Sequence, residues 1–213
     1  MMQGGGCAIP ELKAIRESMQ GEIRSRLDEF RRIRERGDVD EVYVELVFCL
    51  LTPQSKARVC WAAVQNLLEK NLLFEGTSDQ IAGELHGVRF NYRKAEYIVK
   101  ARDMRDKLAQ IGRFDDVCDA REWLVQNVLG IGYKEASHFL RNIGYGESLA
   151  ILDRHILKNL KLLGVIEEIP KSLSRKTYLE IEDGLRELAD EIKIPMGQLD
   201  LVMWCKETGE VFK

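Results

Sequence analysis

Residues 122–144 read EWLVQNVLGIGYKEASHFLRNIG, and this stretch decides the fold. The short segment 129–132 separates two stretches with the i, i+3, i+4 apolar spacing of helices that bury one face. Gly130 and Gly132 permit a tight turn, and their missing Cβ atoms let a phosphate approach the backbone N–H groups. The unpaired N–H groups and dipole of the second helix also attract an anion. The pattern predicts either a plain helix–helix turn or a clamp for a nucleic-acid backbone.

Lys134 is the second candidate feature of this stretch, because it falls in the first turn of the second helix. The helix dipole disfavours a cation at that end. The same field favours a neutral amine, which is the form that attacks an electrophilic carbon. The alternative is a solvated lysine that tolerates a small unfavourable interaction.

Asp153 lies 19 residues further on, in the segment Leu152-Asp-Arg-His-Ile156. Asp is a preferred N-cap, so it is expected to cap a helix that starts at Arg154. Helix 134–143 carries the chain roughly 15 Å away at 1.5 Å per residue. Residues 144–151 can return at most about 26–29 Å when extended. Lys134 and Asp153 are therefore able to meet at the N-terminal ends of neighbouring helices, and a catalytic role for Asp153 is compatible with capping.

The rest of the chain predicts an all-α fold. It has only four prolines, and no stretch alternates apolar and polar residues between hairpin turns. The Gly-rich segment 144–148 is the best candidate for a crossing between two lobes. Helices are predicted over residues 11–36, 39–51, 55–70, 78–85, 92–111, 120–128, 133–143, 154–163, 174–192 and 196–205.

Composition excludes several classes of protein. The chain has 213 residues, of which 45% are hydrophobic, so it can bury the core of one domain or two small ones. No apolar run approaches the length of a membrane span. The net charge is −3, yet residues 86–107 carry seven basic and three acidic side chains. This local excess is typical of a nucleic-acid contact or of an ion-pair network that aids thermal stability.

The five cysteines, at positions 7, 49, 60, 118 and 205, show no metal-binding spacing. There is no Cys-x-x-Cys pair and no Cys/His cluster, so we expect no metal site. Free thiols suit a reducing compartment. The Gly-rich segment 1–9 lacks the basic and apolar regions of a signal peptide, so we expect the chain in the cytoplasm.

Three elements together carry a family resemblance: the hairpin with Lys134, the Gly-rich loop, and the segment around Asp153. They resemble the helix-hairpin-helix DNA glycosylase superfamily, although the loop here lacks proline. Residues 134–142 with 169–174, and a tail ending in Lys213, resemble the compact 8-oxoguanine DNA glycosylase/lyases found mostly in archaea, the second type of such enzymes. The resemblance runs from about residue 12 to the end of the sequence.

Two related groups fit less well. Endonuclease III relatives carry four closely spaced C-terminal cysteines for an iron–sulfur cluster, whereas only Cys205 lies in this region. The larger eukaryotic-type enzymes have an additional N-terminal β-sheet domain, for which this chain has no room.

The resemblance implies a two-lobed helical fold with the active site in the cleft between the lobes. We expect one lobe over residues 42–149 and the other from residues 1–41 together with 150–213. The implied enzyme excises 8-oxoguanine from double-stranded DNA. It then cleaves the abasic site by β-elimination through a Schiff base on Lys134, while Asp153 stabilises the positive charge that develops on the sugar and helps the lysine to lose its proton. We expect a monomer associated with the nucleoid. No redox cofactor is implied, and binding of a monovalent cation by hairpin carbonyls stays open.

The resemblance also suggests residues that contact DNA. Gln54 sits where related enzymes insert a polar residue into the space left by the flipped base, although a polar residue at a helix start explains it equally well. Phe90, Tyr92 and Trp204 are aromatic candidates for the base pocket, and we favour Phe90 and Trp204. The expected backbone contacts are Gly130, Gly132, Arg93, Lys94 and Arg154.

Lys213 is a further candidate for lesion recognition. N7 of 8-oxoguanine carries a hydrogen, whereas N7 of guanine is an acceptor. A carboxylate on the last residue would therefore accept a hydrogen bond from the lesion and face a lone pair in guanine. A frayed terminus is the alternative, against which Val211 and Phe212 offer apolar anchorage.

Two other functions stay open at this point. One is a non-enzymatic helix-hairpin-helix DNA-binding module, which the pairing of Lys134 with Asp153 disfavours because a binding module needs neither residue. The other is a glycosylase for oxidised pyrimidines, which differs in its pocket residues.

Overall fold

The computed structural model describes residues 8–213, which form twelve α-helices and one 3₁₀ helix and contain no β-strand. The prediction of an all-α fold is confirmed. No helix in this part of the chain is long and apolar enough to cross a membrane. The helices are α1 (Ala8–Ser18), α2 (Gln20–Arg36), α3 (Val39–Leu51), α4 (Ala57–Glu69), α5 (Leu72–Glu75), α6 (Ser78–Glu84), α7 (Asn91–Arg102), the 3₁₀ helix (Arg105–Arg113), α8 (Val117–Asn127), α9 (Tyr133–Asn142), α10 (Arg154–Leu162), α11 (Arg175–Ile192) and α12 (Met196–Thr208).

The chain divides into two compact units. The first comprises Ile33–Ile143, and the second joins the described part of Met1–Arg32 to Gly144–Lys213. The first unit begins nine residues before the start of the predicted lobe 42–149, and it ends six residues before the end of that lobe. The last turn of α2, which includes the buried Ile33, therefore belongs to the first unit.

Unit Ile33–Ile143 is built around α3. Asp38 caps this helix, and its carboxylate accepts hydrogen bonds from the backbone N–H groups of Asp40 and Glu41. From Leu46 to Leu51 every side chain of α3 is buried. Helices α4, α7 and α9 and the 3₁₀ helix pack against it. A helix that is apolar on all sides becomes the centre of its unit.

In the second unit, α12 has the central position, with α1, α10 and α11 packed against it. The segment that leads to α10 is fixed on α11. The Tyr178 hydroxyl donates to the Ala150 carbonyl at 2.6 Å, and Glu182 accepts from the Ala150 N–H at 2.7 Å. These buried bonds hold the chain in place immediately before Asp153.

The structure differs from the predicted helices at three places. The predicted helix 11–36 is two helices that meet at Met19, and α5 was not predicted. The predicted helix 92–111 ends at Arg102 and continues as a 3₁₀ helix, where backbone bonds such as Met104 N–H to Ala101 C=O span three residues. Apolar spacing did not separate the two helix types, because Leu108 and Ile111, which the 3₁₀ helix buries, also have the i, i+3 spacing of one α-helical face.

Candidate active site

The hairpin between α8 and α9 is the first part of the candidate site. Gly130 has a φ of +90°, which is the left-handed region that glycine adopts without strain. Gly132 is the N-cap of α9, and its N–H donates to Oε2 of Glu135 at 3.3 Å. Glu135 thus closes the first turn of α9 from within, so the start of the helix is fixed.

Buried side chains hold α9 against α8 below this turn. Arg121 is only 1% exposed and donates to the Ser137 hydroxyl at 3.2 Å. Its guanidinium lies 5.4 Å from the centre of the Tyr133 ring, a cation–π contact. The Tyr133 hydroxyl in turn donates to the Glu122 carboxylate at 2.6 Å. The residue that precedes Lys134 is therefore locked in orientation.

Lys134 is the second residue of α9, and its side chain is 22% exposed. Its Nζ atom lies 3.2 Å from Oε1 of Glu135 and 3.4 Å from Oγ1 of Thr52. Thr52 caps the C-terminal end of α3 and is itself buried. The amine is therefore held between two oxygen atoms while part of the side chain stays accessible to a substrate.

Asp153 caps α10 in the second unit. Its Oδ1 atom accepts hydrogen bonds from the N–H groups of His155 and Ile156, both at 2.8 Å. The carboxylate is therefore rigid, and Oδ2 takes no part in either of these bonds. The sequence prediction of an N-cap at this position is confirmed.

Trp204 lies beside α10 in the same unit. Its ring meets the His155 ring edge-on, with centroids 5.5 Å apart. Among the described residues its indole N–H has no hydrogen-bond partner, although that atom is buried. His155 also faces the Glu207 carboxylate at 3.7 Å. This contact sets α10, and with it the Asp153 cap, against α12.

The end of the chain is anchored in the second unit. Val211 and Phe212 are 9% and 6% exposed, so the apolar anchorage expected from the sequence is confirmed. Lys213 is half-buried.

The comparisons with known proteins identify the family of the chain. The family model described as 8-oxoguanine DNA glycosylase matches residues 23–194. The chain belongs to this family. An 8-oxoguanine DNA glycosylase/AP lyase of Fusobacterium nucleatum is 45% identical over 209 residues, which are 95% of this chain and 96% of that protein. The enzyme of the same description from Methanocaldococcus jannaschii is 39% identical, over 95% of this chain and 99% of that protein.

Two solved structures of the family have the same fold. The 8-oxoguanine DNA glycosylase of Thermotoga maritima superposes with a TM-score of 0.90 at 38% identity, over 97% of this chain and 98% of that one. The Methanocaldococcus jannaschii 8-oxoguanine glycosylase/lyase was crystallised with 15mer DNA containing 8-oxoguanine. It superposes with a TM-score of 0.90 at 37% identity, over 97% of this chain and 99% of that one. The fold is therefore that of the helix-hairpin-helix glycosylases, and the relatives' descriptions favour the glycosylase/lyase over the two alternative functions.

Two predicted contact residues share an unusual backbone. Gln54 and Phe90 have φ angles of +55° and +59°, in the left-handed region that side chains with a Cβ rarely occupy. Both side chains are exposed, Phe90 to 54%. An exposed aromatic ring on a constrained backbone fits the predicted contact with a base. Arg93 and Arg154 are also exposed, as a phosphate contact requires.

Lys94 requires a correction. Its side chain is 4% exposed, and its ammonium donates to the Leu51 and Pro53 carbonyls at 2.7 Å each and to the Ser55 hydroxyl at 3.2 Å. An ammonium has three donors, and all three are used inside the unit. The prediction that Lys94 contacts a phosphate is therefore wrong.

Two residues around Lys134 were missed by the sequence reasoning. Glu135 follows the Gly132-x-x-Glu spacing of a capping arrangement, so this signal was available. Thr52 lies 82 residues from Lys134, and no local pattern connects the two. Within residues 8–213 no group of three His, Cys, Asp or Glu side chains is placed to hold a metal ion.

We expect Gly130→Ala to destabilise the protein more than Gly37→Ala does. Both glycines have positive φ, which costs about 1–2 kcal/mol for a residue with a Cβ. A methyl group at Gly37 would meet no atom within 4 Å, whereas at Gly130 it would lie 2.7 Å from Cε2 of Tyr97. Overpacking of this kind adds about 1–3 kcal/mol. Urea unfolding of both variants measures the difference, and equal losses would mean that the Tyr97 ring moves aside freely.

Proposed function

We infer that this protein excises 8-oxoguanine from double-stranded DNA and then cleaves the abasic site that remains. The observation that carries the inference is the 45% identity, over 95% of the chain, with a protein described as 8-oxoguanine DNA glycosylase/AP lyase. The DNA complex of the Methanocaldococcus jannaschii relative supports the same substrate. We place the enzyme with its substrate, in the cytoplasm at the nucleoid, and we expect it to act as a monomer.

We propose Lys134 as the nucleophile of both steps. The ammonium first loses a proton, for which the Glu135 carboxylate at 3.2 Å is an acceptor within reach, while the Thr52 hydroxyl at 3.4 Å orients the nitrogen. The lone pair of the amine then forms a bond to C1′, while the electrons of the glycosidic bond leave with the base, which takes up a proton. Opening of the sugar ring gives a Schiff base.

Strand cleavage follows from the Schiff base. Its positive nitrogen acidifies the hydrogen on C2′, and loss of that proton expels the phosphate on the 3′ side. Neither step transfers electrons to an external acceptor, so the proposal includes no redox cofactor. Binding of a monovalent cation by the hairpin carbonyls is compatible with it.

We propose Asp153 as the residue that stabilises the cationic sugar. Positive charge develops on the deoxyribose as the glycosidic bond breaks, and a fixed carboxylate lowers the energy of that state. The two hydrogen bonds to Oδ1 prevent the group from reorienting. The proposed role therefore uses the capping geometry and does not compete with it.

The remaining contacts are assigned by chemistry. The hairpin backbone at Gly130 and Gly132, apart from the Gly132 N–H that is bonded to Glu135, and the exposed side chains of Arg93 and Arg154 are the proposed contacts to the DNA backbone. Gln54 is the proposed wedge that enters the duplex opposite the extruded base. Phe90, Trp204 and Lys213 are the proposed pocket residues.

We expect Lys134→Gln to abolish covalent trapping on 8-oxoguanine duplex in the presence of borohydride. Glutamine has no nucleophilic amine, so no Schiff base is available for reduction. Affinity for the duplex, measured by fluorescence anisotropy, should change little because the hairpin glycines are intact. Lys70→Gln is the control, since Lys70 is also an ion-paired lysine of this unit, 2.6 Å from Glu84. Normal trapping by Lys134→Gln would refute the assignment.

We expect Asp153→Asn to lower base excision by about 10²-fold, the effect of losing one electrostatic stabiliser. Asparagine caps a helix about as well as aspartate, so the melting temperature should change little. Asp116→Asn is the control, because Asp116 is also a helix cap, which accepts the Cys118 N–H at the start of α8. A variant that melts much earlier yet excises the base at the wild-type rate would reduce Asp153 to a structural cap.

A further inference from the structure

The turn Thr52-Pro53-Gln54-Ser55, which follows α3, has a strained residue at its third position. The Ser55 N–H donates to the Thr52 carbonyl at 3.0 Å and closes the turn. Turns with a positive φ at the third position favour Gly or Asn, yet Gln54 occupies it at +55°. Strain of this kind persists where the surrounding structure enforces it. The turn therefore needs an element that holds it.

Lys94 is that element. Its three bonds reach the residue before the turn, Leu51, and two residues within it, Pro53 and Ser55. The Leu51 carbonyl ends α3 and lacks an intrahelical partner, so a donor from elsewhere is required. Burial lowers the pKa of Lys94, because desolvation destabilises its ammonium, and the charge of Lys134 acts in the same direction. Burial of the Lys94 ammonium is unfavourable by itself, and its three hydrogen bonds to Leu51 and the turn offset that cost.

The same lysine connects the turn to Phe90. Lys94 is in the first turn of α7, and its N–H donates to the Phe90 carbonyl at 2.9 Å. The Arg89 N–H donates to the Ser55 hydroxyl at 3.0 Å, which is the hydroxyl that Lys94 also contacts. The bond to the Phe90 carbonyl is a backbone bond that any residue at position 94 would make, so the Lys94 side chain reaches the segment of Phe90 only through the Ser55 hydroxyl that it shares with Arg89.

We propose that Lys94 is a positioning residue for base excision, because its ammonium holds the turn that presents Gln54 to the duplex. The inference rests on the proposed function. In this role Lys94 aids extrusion of the damaged base although Lys94 itself does not contact DNA. The turn also contains Thr52, whose hydroxyl faces Lys134, but the proposal concerns presentation of Gln54.

The test compares two reactions of the Lys94→Met variant. Methionine fills the same space and donates no hydrogen bond. Single-turnover excision of 8-oxoguanine requires extrusion of a base, whereas cleavage at a preformed abasic site requires Lys134 but no extrusion. We expect the ratio of the excision rate to the abasic cleavage rate to fall about tenfold, since small misplacements of positioning groups have effects of this order or larger.

Arg102→Met is the matched control. Arg102 also lies on α7 and also donates to backbone carbonyls, those of Leu72 at 2.8 Å and Leu73 at 2.9 Å. It has no hydrogen bond to the turn. Both variants lose hydrogen bonds to backbone carbonyls and should melt earlier than the wild type, but only Lys94→Met should change the ratio. A similar change in both variants would show general destabilisation and overturn the proposal.

A double mutant tests whether Lys94 acts through Gln54. Gln54→Ala should lower the ratio by itself, and adding Lys94→Met should lower it no further. The proposal would be overturned if the two substitutions lowered the ratio independently, so that their losses multiplied, or if Lys94→Met left the ratio unchanged.

If Lys94→Met does not fold, Ser55→Ala removes the hydroxyl that Lys94 and Arg89 share, and the same comparison is made with that variant. A wild-type protein without excision would refute the proposed function, whereas excision with an unchanged ratio refutes this inference alone.

Discussion

The buried carbonyl groups at the C-terminal end of α3 are the constraint on which unit Ile33–Ile143 depends. The last carbonyls of a helix have no partner within it, and a buried carbonyl without a hydrogen bond is costly. Side chains from other elements supply the missing donors: the Thr52 hydroxyl binds the Cys49 carbonyl, and the Cys60 thiol and Lys94 bind the Leu51 carbonyl. The same bonds place the Thr52 hydroxyl beside Lys134. The hydrogen bonds that the last carbonyls of α3 require therefore also form the surroundings of the proposed nucleophile.

Helix N-termini impose the converse requirement, because their first N–H groups lack acceptors. Helix α9 uses Glu135 for the Gly132 N–H, and α10 uses Asp153 for two N–H groups. Each unit thus carries one proposed catalytic side chain in or next to the first turn of a helix. A carboxylate there satisfies donors that would otherwise be unpaired, and the dipole favours its charge. Rigidity of the proposed site is therefore a consequence of backbone pairing that the helices require in any case.

The sequence predicted features that depend on neighbouring residues and missed those that depend on distant ones. The hairpin and the Asp153 cap follow from local spacing and were located correctly. The burial of Lys94 depends on carbonyls more than 40 residues away along the chain, and backbone carbonyls are the same for every residue type. The change from α7 to the 3₁₀ helix was missed because Leu108 and Ile111, which the 3₁₀ helix buries, are also spaced as on one face of an α-helix. Left-handed Gln54 and Phe90 have no local signal, since neither residue type favours that conformation.

The basic cluster over residues 86–107 shows why a charge count from sequence overestimates a DNA-binding surface. Lys94 and Arg102 use their donors on backbone carbonyls inside the unit. Arg105 forms an ion pair with Asp40 and lies over the Phe74 ring. Only side chains that neutralise phosphates release counterions, so the salt dependence of binding reports the accessible charges alone. Four of the seven basic residues are exposed, and these are Arg89, Arg93, Lys100 and Lys107. Arg89 lies over the Phe90 ring at 5.4 Å, which places one of these charges beside the residue proposed to meet the base.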